Sequence, residues 1–135
     1  MKKHGILNSD IAKVLADLGH TDQITIGDAG LPVPASLKKI DLALKLGEPK
    51  FIDVLAEVLK DMEIEKVILA EEIKAQNPDQ LAAVSALVGD IEVDYVSHED
   101  FKRQNYYTSQ DFQENIIVLN KLCIDYINPK LTPNL

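Results

Sequence analysis

The sequence predicts an α/β fold: a single three-layer domain over residues 1–135, with a central, mostly parallel sheet and helices on both faces. Three observations predict it. Several segments repeat apolar residues at helical spacing. Short β-favouring runs alternate with those segments. The run Val67-Ile68-Leu69-Ala70 is apolar throughout, as expected of a strand covered on both faces. The order read from them, α-β-β-α-β-α-β-α, places helices between most strands, and such crossovers accompany parallel neighbours.

The first element follows Asn8, where Ile11, Val14, Leu15 and Leu18 form an i, i+3, i+4, i+7 stripe. The spacing predicts a helix over 9–18, with Gly19 where a left-handed cap would sit. Ile24, Thr25 and Ile26 then read as a short strand that stops at Gly27-Asp28-Ala29-Gly30 and enters a loop containing Pro32 and Pro34. Ile40, Leu42 and Leu44 alternate with polar or small residues and predict a second strand. Pro49 opens a helix whose stripe is Phe51, Val54, Leu55, Val58, Leu59 and Met62. Beyond the strand at 67–70, Asn77-Pro78 reads as N-cap and first helical residue, and Gly89 as the stop. Ile91, Val93 and Tyr95 alternate like a strand, and Ser97-His98-Glu99-Asp100 resembles a capping box with Asp in place of Glu.

Composition narrows the function. The chain is 46% hydrophobic and 27% charged, the balance of one soluble globular domain, and 135 residues can bury a core without staples. Its lone cysteine, Cys123, cannot form an internal disulfide and reads as a packed small hydrophobe. Fourteen Lys and Arg against 22 Asp and Glu give a formal charge of -8, which disfavours nucleic acid and anionic membranes as partners. Neither an apolar leader core nor a membrane-spanning run is present in the sequence, so a cytoplasmic location is expected by default. His4, His20 and His98 are far apart and no metal-ligand spacing joins them, so no metal is expected. Phosphate-binding glycine motifs and the GxSxG elbow are likewise missing.

In open α/β sheets, sites form beyond the carboxyl ends of strands. Asp28, the pair Glu71-Glu72 and His98 occupy three such ends. His20 stands between the first helix and the first strand, where solvent reaches it. Two imidazoles and a carboxylate suit proton transfer near neutral pH. Each residue also has a plainer reading: His20 as a polar residue after a helix, Asp28 as a turn former, His98 as a solvated first-turn residue, and Glu71-Glu72 as acids at a helix N-terminus.

The stretches LNSDIAKVLADLGHTD (7–22), DAGLPVP (28–34), KKIDLAL (38–44), FIDVLAEVLKDMEIEKVILAEEIKAQNP (51–78) and VSHEDFK (96–102) closely resemble the D-ribose pyranase family, ribose mutarotases associated with ribose uptake. The resemblance implies interconversion of the β-pyranose and β-furanose forms of free D-ribose, with no cofactor, by a cytoplasmic, ring-shaped, decameric homo-oligomer. It implies His20 as proton donor, with Asp28 and His98 contacting the sugar. A fucose mutarotase is the nearest alternative, and a non-catalytic sugar-binding or assembly remnant is a third. That last alternative arises from the ending. After Lys102 the family continues through Ile-Arg-Thr-Gly-Glu into a Pro-Tyr-Ala-Asn-Ile-Ile-Leu strand whose Tyr and Asn complete the site, and neither stretch is present here. Residues 103–135 therefore form a divergent tail, and the family's final strand is expected to be missing or replaced by 116–119. One explanation is a reading-frame change near Arg103, since codons compatible with Gln104 to Gln110, read one base later, can encode a segment closer to the family.

Overall fold

The computed structural model describes residues 1–20, 22–27, 31, 33, 35, 37–45 and 47–101, together with the backbone of 114–118. The expectations for Asp28, Cys123 and most of the tail, residues 102–113 and 119–135, lie outside the described residues.

Helix α1 (Ser9–Asp17) starts at Asn8, whose Oδ1 accepts the Ile11 N–H at 3.0 Å, and it buries Ile11 and Val14. It ends one residue before the expected limit, and Gly19 is not in the left-handed region. Leu18 is extended instead, and the Gly19 N–H donates to Asp22 Oδ2 at 2.8 Å. An acceptor from the following turn has replaced the glycine cap.

Strand β1 (Gln23–Gly27) extends the expected run by a residue at each end. A Cβ on its last residue, Gly27, would lie 2.5 Å from Leu31 Cδ2 and 3.3 Å from Leu31 Cβ, so any side chain there would force Leu31 to shift. Strand β2 (Lys38–Asp41) lies earlier than the alternation of Ile40, Leu42 and Leu44 suggests. Asp41 Oδ1 accepts the Ala43 N–H at 2.9 Å, a local turn that ends the strand and leaves Leu44 78% exposed.

Helix α2 (Phe51–Asp61) follows its stripe, with Phe51 and Val58 buried. Strand β3 (Lys66–Ala70) is less evenly covered than an all-apolar run implies: Val67 and Ile68 are half-buried, and full burial begins at Leu69. A four-residue helix, α3 (Ile73–Gln76), which the expected order does not contain as a separate element, precedes α4 (Pro78–Val88). Helix α4 has both expected ends, with Asn77 Oδ1 accepting the Gln80 N–H and Gly89 at φ 57°. Strand β4 (Glu92–Val96) leads into a helical turn over 98–101, where Ser97 Oγ accepts the Asp100 N–H as the capping box requires.

Strand β5 (Glu114–Val118) starts before the expected 116–119 and runs between β1 and β2, parallel to both. Strands β3 and β4 form a second parallel ladder. The parallel pairing is as expected, although the strands are divided between two ladders. Lys66 clasps the start of the second ladder, with its ammonium 2.7 Å from Asp94 and 3.8 Å from Glu92. The Asp94 hydrogen bond and the two carboxylate charges hold the Lys66 pKa above its ordinary value. A raised lysine stabilises the fold below its unfolded pKa and loses that contribution only as alkaline pH passes its folded one.

One apolar core joins Ile6, α1, β2, α2, β3, α3 and α4, with Ile73, Val58 and Val84 the most deeply buried side chains. Ile73→Ala is expected to cost about 2–5 kcal/mol in chemical denaturation, because the cavity it leaves is closed on all sides. Leu44→Ser is expected to stay within about 0.5 kcal/mol of the parent. Gly27→Ala is expected to cost about 1–3 kcal/mol, since Leu31 must give way to the added methyl group.

Candidate active site

His20 sits in a turn fixed from both sides. The Asp22 N–H donates to the Gly19 carbonyl at 3.2 Å, while the Asp22 carboxylate accepts the Gly19 N–H. This double closure holds the backbone around the imidazole and leaves its side chain 98% exposed. Among the described residues Glu65 pairs with it, its Oε1 lying 3.9 Å from His20 Nδ1. Glu65 is the residue immediately before β3, so His20 stands at that strand's amino end.

His98 is placed by the opposite end of the same ladder. The register pairs Ala70 with Val96, and the chain continues two residues on each side to Glu72 and His98. There the His98 N–H donates to both Glu72 carboxylate oxygens, at 3.0 and 3.1 Å. The imidazole is half-buried, with its Nδ1 shielded from solvent. Asp28 is the residue after Gly27, at the carboxyl end of β1, and lies outside the described residues.

The structure therefore brings Glu72 to His98 and Glu65 to His20, but it does not bring the two histidines together within one copy. A five-residue strand is roughly 16 Å long, and β3 lies between their two partners. A cavity of about 660 Å3 runs between β1 and β3, lined by Gln23 to Ile26 and Lys66 to Leu69. His20 lines it, as does Phe101, which follows His98 by three residues. Four carboxylates, Asp22, Asp61, Glu63 and Glu65, accompany His20 on its lining. The volume suits a small ligand. Sequence reasoning missed the roles of Asp22 and Glu65. The Asp22 contact had a signal, since a side-chain acceptor three residues after a helix-ending glycine is a local pattern.

Among the described residues, no three His, Cys, Asp or Glu side chains are grouped so as to hold a metal ion. Nor is any helix among them long and apolar enough to cross a membrane. An exposed, turn-fixed imidazole beside a carboxylate can exchange protons with a bound hydroxyl group and with water.

The family model described as the RbsD / FucU transport protein family matches residues 1–110. A D-ribose pyranase of Exiguobacterium sibiricum is 63% identical over 102 residues, covering 76% of this chain and 78% of that protein. A D-ribose pyranase of Bacillus subtilis is 57% identical over 102 residues, with the same shares covered. The solved structure of Bacillus subtilis RbsD complexed with D-ribose is similar at a TM-score of 0.79 and 48% identity, covering 89% of this chain and 87% of that one. On this agreement of sequence and fold, the chain belongs to the RbsD / FucU transport protein family.

Proposed function

We propose that this chain is a D-ribose pyranase, an isomerase that interconverts the β-pyranose and β-furanose forms of free D-ribose. The observation that carries this reading is the likeness to a structure bound to D-ribose, at 48% identity across 89% of the chain. In the proposed reaction the pyranose opens when its ring oxygen gains a proton and the anomeric hydroxyl loses one, giving the open-chain aldehyde. The 4-hydroxyl then adds to the carbonyl carbon, its proton leaves, and the former carbonyl oxygen is reprotonated. Protons balance and no electrons are transferred, so the chemistry calls for acid/base groups and positioning.

His20 is assigned the proton transfers, and its exposure supports this because the ring can recover its protonation state from water. Asp28 and His98 are assigned to hold sugar hydroxyl groups. With His20 and His98 at opposite ends of β3, one sugar meets both when copies associate so that His20 of one faces His98 of the next. This supports a homo-oligomer. The whole is assigned to the cytoplasm, where sugar delivered by uptake is met in its free form.

Saturation-transfer NMR on free ribose is expected to show accelerated exchange between the ring forms, and enhancement for fucose alone would overturn the assignment. His20→Ala is expected to reduce the exchange about 100-fold or more at unchanged thermal stability; exchange at the parent rate would remove His20 from the mechanism.

Mixing copies of His20→Ala with copies of His98→Ala, after dissociation and reassembly, is expected to restore part of the exchange. Each mixed boundary can then hold one intact site. Light scattering is expected to give a multiple of the 15.0 kDa chain. A monomer with full activity would show that one copy suffices.

A further inference from the structure

We propose that Glu72 is a positioning residue for His98, a role that deepens the reading of His98 as a sugar ligand and rests on it. The Glu71 N–H donates to the Val96 carbonyl at 2.7 Å, which extends the contact between β3 and β4 past the last ladder pair. One residue further, both Glu72 carboxylate oxygens accept the N–H of His98. That N–H belongs to the first residue of the helical turn, where the helix itself offers no acceptor. Ser97 serves the later donors, its Oγ accepting from Asp100 and its carbonyl from Phe101.

Glu72 does nothing comparable for its own helix. It is the N-cap of α3 but makes no side-chain cap, and among the described residues no cation pairs with it. Its carboxylate is half-buried and directed 26 residues along the chain to the His98 backbone. A charged acceptor on a backbone N–H is a stronger tether than a neutral one. It fixes the Cα from which the imidazole projects, and a sugar hydroxyl tolerates little displacement of its partner. Glu72 touches no substrate in this account and acts through His98.

The test compares KM and kcat for ribose exchange in Glu72→Ala, Glu72→Gln, His98→Ala and the double variant Glu72→Ala/His98→Ala. Glu72→Ala is expected to raise KM about tenfold with kcat within twofold, whereas Glu72→Gln, whose amide oxygen still accepts, restores KM to within threefold of the parent. The double variant is expected to match His98→Ala alone, because the effect of Glu72 passes through that ring. Hydrogen exchange at the His98 amide is expected to accelerate in Glu72→Ala but not in Glu72→Gln.

Parent KM in Glu72→Ala, or a double variant whose KM exceeds that of His98→Ala by the full tenfold, would overturn the proposal. Unchanged KM in His98→Ala would instead overturn the sugar-ligand reading, a failure visible in that variant alone. Should Glu72→Ala not fold, Glu72→Met, of similar length but without an acceptor, takes its place in every comparison.

Discussion

Parallel pairing is the constraint on which the rest of this structure depends. Both ladders are parallel, and a parallel pair cannot be closed by a tight turn, so the chain must travel back along the sheet before each new strand. Helices α3 and α4 provide that return between β3 and β4. The return gathers residues that follow strands at one end and residues that precede strands at the other. Glu72 and His98 meet because each follows a strand by two residues, while His20 and Glu65 meet because each precedes one. The chemistry of each end is thus sorted by position in the chain before any side chain interacts.

Stability comes chiefly from apolar burial. The most buried side chains, Ile73, Val58 and Val84, come from α3, α2 and α4, so the helices beside the β3 strand supply much of the core. The ion pairs lie largely in solvent: Lys13 with Asp17, Lys60 with Glu57 and Lys38 with Asp10 join side chains that are all at least 41% exposed. Such pairs contribute little individually. A surface carrying a charge of -8 gains more in solubility than in stability from them.

Elements fixed by contacts within a few residues were legible in the sequence. Asn8, Asn77 and Ser97 cap helices through acceptors three residues from their donors, and each appears where its pattern predicts. The stripes of α1 and α2 and the stop at Gly89 follow the same logic. Where two local signals compete, sequence reading was less accurate. The alternation through Leu44 suggested more strand, yet the Asp41 turn two residues ahead of Ala43 prevailed. At Gly19 a side-chain acceptor displaced the expected left-handed cap. Contacts that depend on register were legible only coarsely: the sequence sets Glu71-Glu72 and His98 beyond strand carboxyl ends, but which carboxylate meets His98 follows only once β3 and β4 are aligned. Likewise the separation of His20 from His98 follows from strand direction and length, which residue types alone do not convey.

Strand β5 has a consequence for how the protein is made. Its pairing with Gln23 spans roughly ninety residues, and it lies between β1 and β2, which are close together in sequence. On a ribosome adding about 5–20 residues per second, β1 emerges roughly 5–20 s before the segment that will lie against it. Throughout that interval two nascent strands offer their hydrogen-bonding edges to any extended neighbour. Their brevity limits the hazard, since β1 has five residues and β2 four. The ladder of β3 and β4, complete before β5 is synthesised, can meanwhile form beside α2 and α4 and give the growing chain an early folded nucleus.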